Sequence, residues 1–253
     1  MIHDLQKAGF WKRIAAWMFD GILMSVLVVG FGFLLSVMLG YDSHSAALEA
    51  AYESYGAQYG VNFDIGPEEY EAMTEEQRQN YDAAYEALIA DGEVLYHYNM
   101  SLNLTLVIIT GGFLLSYLLW EFFIPLWLGN GQTLGKKIFG LCLVRVDGVR
   151  INTLQLFTRT ILGKFTIETM IPVYILLMLF WGTMGLGGTL FLMAMGIGQC
   201  ICVAVTRSRS AIHDLLAGTA VADLASQTIF RSTEDLIAYQ KKVAADRAAR
   251  QPY

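Results

Sequence analysis

The chain has 253 residues, of which 55% are hydrophobic and only 16% charged, with a mean hydropathy of +0.44 and a formal net charge of -6. A soluble domain carries roughly a quarter charged residues, so this composition excludes an ordinary soluble enzyme and points to apolar runs long enough to cross a bilayer. Three cysteines in neither framework nor metal-type spacing exclude a disulfide scaffold and offer no metal site.

Residues 1–40 hold an interfacial segment and a first apolar run, from about Ile14 to Leu39. The run exceeds the roughly 7–15-residue core of a signal peptide and no small-residue cleavage signature follows it, so a retained transmembrane helix is predicted. Arg13 and Asp20 sit in its opening turns. Seven steps of about 100° bring them back to nearly one helix face, roughly 10 Å apart along the axis. Arg13 can stay among the headgroups. A carboxylate two turns deep costs on the order of 2–3 kcal/mol, so Asp20 is expected to face a positive or hydrated neighbour.

Residues 41–101 carry about a dozen carboxylates and one basic residue, Arg78. Tyr52, Tyr55 and Tyr59 form a helical stripe, Pro67 can open a helix with glutamates at its positive end, Thr74 with Gln77 resembles a capping box, and Gly92 reads as a helix stop. Two or three short amphipathic helices outside the membrane are expected. Their acidity suits a basic extracytoplasmic protein partner or simply a solvated face.

A second span is predicted over 102–128, with Glu121 and Pro125 near its end. Residues 129–164 then form a basic loop. G-N-G-Q-T-L-G-K-K is not a P-loop, because Lys137 stands where Ser or Thr is required and no strand precedes it. L-C-L-V-R-V-D-G-V-R-I alternates around Asp147-Gly148 and predicts a small β-hairpin. T-L-Q-L-F-T-R-T-I-L-G-K-F reads as an interfacial amphipathic helix. Lys136, Lys137, Arg159 and Lys164 are expected to meet anionic lipid headgroups.

Residues 165–206 hold a third span, about 165–181 with Glu168 and Pro172 near its start, and a fourth, about 186–205. The glycine-rich stretch 182–188 supplies a turn between them. Lysine and arginine placement fits four spans with both termini cytoplasmic. Residues 207–224 form a juxtamembrane segment carrying I-H-D-L-L-A-G-T, with His213 and Asp214. Residues 225–253 form a charged cytoplasmic tail in which Ser232 and Asp235 can cap a helix. The fold class is thus an all-α membrane protein of four transmembrane helices, with a helical extracytoplasmic insertion and a small cytoplasmic β-hairpin plus interfacial helix.

Three stretches together resemble the RDD family of bacterial membrane proteins, named for one arginine and two aspartates. They are F-W-K-R-I-A-A-W-M-F-D with Arg13 and Asp20, G-Q-T-L-G-K-K-I-F-G-L-C-L-V-R-V-D-G, and H-D-L-L-A-G-T with Asp214. The resemblance covers most of the chain except the acidic insertion. It implies a multi-pass protein of the bacterial cytoplasmic membrane involved in transport, with ion or proton exchange. In that reading Asp20 is the titratable carboxylate, tuned by Arg13 and Asp214, with Glu121, Glu168 and His213 extending a polar path. The competing reading is a non-transporting scaffold, assembly or sensor protein whose acidic loop binds a partner and whose Arg13–Asp20–Asp214 cluster is a structural staple. Four spans without an internal repeat are few for a lone-chain transporter. Gly21/Ser25 and Ala194/Gly198 offer close-packing positions within the chain or in a homo-oligomer. No nucleophile or H-E-x-x-H pattern is present, so no enzyme activity, cofactor, metal or nucleic-acid partner is expected.

Overall fold

The computed structural model describes residues 6, 8–172, 185–205 and 210–250. The end of the expected third span, residues 182–184 of the expected turn, and Lys7, Arg207 and Arg209 lie outside them. The chain divides into two compact units, one of residues 1–29 with 112–253 and the other of residues 30–111.

Helices dominate. Phe10–Leu39 (α1) has 30 residues and carries no charge beyond Asp20. Tyr41–Tyr59 (α2), Pro67–Ala72 (α3) and Glu75–Ala90 (α4) follow. Gly92–Tyr117 (α5) continues through a π-helical segment, Leu118–Phe123 (π1), into Ile124–Leu128 (α6). Among the described residues, α1 and the continuous helix Gly92–Leu128 are long and apolar enough to cross a membrane. Gly185–Val205, where the fourth span was expected, is a further 21-residue apolar helix.

In the unit 30–111 the tyrosine pattern works as read. Tyr52 stacks edge-on against Phe63, which meets Tyr81, which meets Tyr70. Tyr55 donates to Asp91 at 2.9 Å. Thr74 and Gln77 form the expected capping box. Gly92 does not stop a helix. Asp91 ends α4, and its carboxylate then accepts from the Glu93 amide at 2.9 Å, so that Gly92 opens α5.

In the other unit the expected β-hairpin is replaced by a long-range pair. Leu141–Arg145 (β1) runs antiparallel to Thr219–Asp223 (β2), in register from Leu141↔Asp223 to Arg145↔Thr219. The Asp147-Gly148 turn does form, with Gly148 donating to the Arg145 carbonyl at 2.9 Å. Its returning limb makes a single bridge back to β1, Val144↔Arg150, and another to the later chain, Val149↔Phe230. The cause is burial. Leu141, Cys142, Leu143 and Val144 are all buried, so both faces of β1 need covering. The small apolar run T-A-V-A permits that, whereas the return strand carries Arg150. Leu141, Leu143 and Val221 pack with Ala8 and Ala16, fixing the sheet against the start of α1.

Leu134–Ile138 (α7) precedes β1, and Thr153–Phe157 (α8) follows it, opened by an Asn152–Gln155 capping box. The expected interfacial helix is thus real at its start, but it passes directly into an eleven-residue π-helix, Thr158–Glu168 (π2). Ile212–Ala217, here α10 after α9 (Gly185–Val205), packs on π2, and Thr233–Arg250 (α11) closes the described chain.

Gly163 on π2 sets how closely α10 approaches. A Cβ there would lie 2.6 Å from His213 Cβ and 2.8 Å from its Cα. Gly163→Ala should therefore lose about 1–3 kcal/mol through overpacking and lower the thermal midpoint of the detergent-solubilised protein. Gly30→Ala, whose Cβ meets nothing within 4 Å, should leave the midpoint in place. Equal midpoints for the two variants would contradict the packing described.

Candidate functional site

The start of α1 brings Arg13 and Asp20 to a site built by π1, α7, π2 and α10. Asp20 is buried, and where a positive or hydrated neighbour was expected it meets neutral donors. Its Oδ1 accepts from the Trp120 indole N–H at 3.1 Å and from the Gly135 amide at 2.8 Å, and its Oδ2 accepts from the Thr133 hydroxyl at 2.5 Å. Three directed donors replace the water that a carboxylate loses on burial. Gly135 has no alternative residue here, since a Cβ would stand 2.5 Å from the Ala16 carbonyl oxygen and 2.8 Å from Asp20 Oδ1. The G-Q-T-L-G motif is therefore a carboxylate-holding turn. Thr133 also caps α7.

A separate ionic network lies beside it, centred on Arg159, which is only 2% exposed. Its Nε donates to Asp214 Oδ1 at 2.8 Å, and its Nη1 stands 3.6 Å from Glu121 Oε2. Glu121 also pairs with Lys164 and stands 3.6 Å from Lys136 Nζ. Arg13 approaches the other oxygen of Asp214 at 3.9 Å. Lys136, Arg159 and Lys164 thus turn inward, which corrects their expected place among lipid headgroups. Lys137 alone of those four is exposed. The expectation rested on basic residues preferring the interface, and here paired carboxylates outweigh that preference.

The π register explains part of the geometry. Positions five apart on an α-helix diverge by about 140°. In π2 the hydrogen bonds run five residues back, as from the Thr169 amide to the Lys164 carbonyl. The wider turn lets Arg159 and Lys164, five apart, both meet Glu121, itself on the other π segment.

Glu168 and His213 join this network. The His213 Nε2 lies 2.9 Å from Arg159 Nη2, which has only donors, so Nε2 accepts. Nδ1 then carries the proton and donates to Glu168. Burial, reinforced by Arg159, lowers the His213 pKa despite Asp214, consistent with this neutral tautomer. Burial alone would raise Asp214, but the Arg159 guanidinium, with Arg13, holds its carboxyl well below the usual carboxylate range. Burial pushes Lys136 down to about 8, with Lys164 and Arg159 reinforcing it and Glu121 and Asp20 opposing it.

Arg13, Asp20, Glu121, Lys136, Arg159 and Asp214 line one cavity of about 630 Å³. Two buried carboxylate oxygens there, Glu121 Oε2 and Asp214 Oδ2, have no hydrogen-bond donor. Their cations stand 3.6–3.9 Å away, near enough for Coulombic attraction and too far for a hydrogen bond. Among the described residues no group of three or more His, Cys, Asp or Glu is placed to hold a metal ion. Sequence reasoning placed Arg13, Asp20, Glu121, Glu168, His213 and Asp214 in the polar cluster. It missed Trp120, Thr133 and Gly135 as Asp20 partners, although the last two belong to a motif it had singled out.

The model of the RDD family, so described, matches residues 7–218. The "Uncharacterized protein YckC" of Bacillus subtilis is 31% identical over 107 residues, which are 42% of this chain. The match spans 56% of that relative's length. No solved structure matches the chain.

Asp20→Ala leaves three buried donors unpaired, each costing about 1–3 kcal/mol. Folded protein recovered after detergent extraction should fall severalfold. Asp20→Asn retains an acceptor for Trp120 and Gly135, and its amide can donate to the Thr133 oxygen, so recovery should stay near wild type. Size-exclusion chromatography reads both, and equal recovery of Asp20→Ala and wild type would contradict the assignment.

Proposed function

The chain belongs to the RDD family, and on that premise we propose that it exchanges a cation for a proton across the bacterial cytoplasmic membrane through this buried network. The proposed topology has four spans, both termini in the cytoplasm, and residues 41–101 outside. The observation that carries the reading is the pair of buried, donorless carboxylate oxygens, Glu121 Oε2 and Asp214 Oδ2, on two residues that line one cavity together with Lys136. A buried acceptor without a donor carries a desolvation cost that an entering cation relieves.

The exchangeable proton is assigned to Lys136 rather than to Asp20. Asp20 already holds three donors, which fits a staple between α1, π1 and α7. Lys136 faces Glu121, Lys164, Arg159 and Asp20 and contacts the Thr133 hydroxyl at 3.2 Å. Deprotonating it removes one positive charge beside Glu121. An entering cation restores that charge, so the buried cluster never carries a net change.

The sign of the pH effect follows. With its pKa held down to about 8, Lys136 keeps its proton at pH 6.5 and resists exchange, and releases it as pH rises through about 8. In proteoliposomes driven by a cation gradient and read by an internal pH dye, initial exchange should rise severalfold between pH 6.5 and 8.5. Lys136→Met and Glu121→Gln should abolish it, while Asp20→Asn should retain the wild-type rate per inserted molecule. Loss of exchange in Asp20→Asn with retention in Lys136→Met would return the proton to Asp20. No exchange by wild type under any cation gradient would overturn the transport reading and leave the non-transporting partner of a basic protein.

A further inference from the structure

Resting on the exchange reading above, we propose that the cation taken by this cavity is an organic primary ammonium with an apolar body rather than an alkali or divalent metal ion. Three features of the site point there.

The donor set is too sparse for a bare metal ion. Hard cations such as calcium take about six to eight oxygens converging on one point. The residues lining the cavity carry two buried carboxylate oxygens without a donor, one on π1 and one on α10, each already within Coulombic reach of a fixed cation. Two separated acceptors suit N–H donors instead. A primary ammonium has three, enough to donate to Glu121 Oε2 and Asp214 Oδ2 and keep one for water.

The cavity is also too large and too apolar for a naked ion. Its volume of about 630 Å³ lies in the roughly 300–1,000 Å³ range of sites for drug-sized ligands. Its lining also includes Phe10, Ile14, Trp17 and Met24 of α1 and Tyr117 of α5. Apart from the Tyr117 hydroxyl, these side chains carry no oxygen to coordinate a metal ion. They would cover a hydrocarbon body, and aromatic faces such as Trp17 and Tyr117 attract an ammonium group within about 6 Å.

Charge bookkeeping agrees. The cavity is lined by four acids (Asp20, Glu121, Glu168, Asp214) and four Lys or Arg cations (Arg13, Lys136, Arg159, Lys164), with His213 neutral. One ammonium entering and one proton leaving Lys136 Nζ for water keep that balance. No covalent bond forms or breaks apart from that N–H.

The test uses the full chain in nanodiscs, with empty nanodiscs as the blank for lipid partitioning. Phenethylamine, its N,N,N-trimethyl analogue, phenethyl alcohol, sodium chloride and potassium chloride are each titrated calorimetrically in buffers of differing protonation enthalpy. Phenethylamine should bind at one site and release a proton at pH 7.5. The trimethyl analogue, which lacks N–H donors, and the neutral alcohol should bind at least tenfold more weakly. Glu121→Gln should weaken the amine at least tenfold. Ile14→Phe narrows the apolar wall without touching the charges, and should do the same while eluting as wild type. Amine binding that is absent, or equal for the primary and trimethyl compounds, overturns the proposal. In matched proteoliposomes, proton-coupled sodium or potassium movement without amine movement overturns the substrate class and leaves the exchange reading standing. Movement of neither overturns both.

Discussion

Arg159 is buried with its guanidinium between Asp214 and Glu121. A charge so far from water is tolerated only when its counter-charges are close and well placed, because desolvation costs several kcal/mol per ion. That constraint organises the unit. Asp214 is held on α10, Glu121 on π1 and Arg159 on π2, and each element must arrive with its charged residue inward. Gly163 admits α10 against π2, and the two π segments rotate their side chains into one cluster. Burial opposes the Arg159 charge, yet Asp214 and Glu121 raise its pKa above the ordinary value. The cation is therefore permanent, whereas the pKa of the neighbouring buried Lys136 is lowered to about 8.

Much of this was legible in the residues. The apolar runs of α1 and α5, the Thr74–Gln77 box and the tyrosine stripe are local signals, each decided by neighbours a few positions away. Arg13 and Asp20 stood out as charges in the opening turns of an apolar run, and Asp214 came with the family resemblance. The rest was decided at long range. Asp20 and Thr133 lie 113 positions apart, and no pattern shows that a threonine hydroxyl, an indole and an amide will do what a positive or hydrated neighbour was expected to do. The strand pairing failed for a related reason. Asp147-Gly148 makes the turn it advertises, but burial of both faces of β1 selected β2, whose nearest paired residue, Thr219, comes 74 positions after Arg145. Arg159 and Lys164 read as interfacial because basic residues on an amphipathic helix prefer anionic headgroups. Only the π register brings both to Glu121.

Asp20 and the Arg159 network divide the site into two kinds of chemistry. Around Asp20 every acceptor is used, and the donors are neutral and come from rigid positions, including a backbone amide. Such a site stabilises one arrangement and resists change. Around Glu121 and Asp214 each carboxylate keeps an oxygen without a donor, flanked by cations at 3.6–3.9 Å. Such a site has room for a competing cation. The arginine and two aspartates of the RDD signature therefore contribute differently. Arg13 and Asp214 belong to the ionic network around Arg159, and Asp20 to the neutral-donor site beside it.

The most direct test is a thermodynamic double-mutant cycle on Arg159 and Asp214, measured as reversible unfolding in mixed micelles. Arg159→Met and Asp214→Leu should each cost about 3–5 kcal/mol, because each strands a buried charge. The double variant should cost less than their sum by on the order of 2 kcal/mol. Additive costs, agreeing within about 0.5 kcal/mol, would mean that the two charges do not depend on one another, and that mutual burial does not hold this unit together.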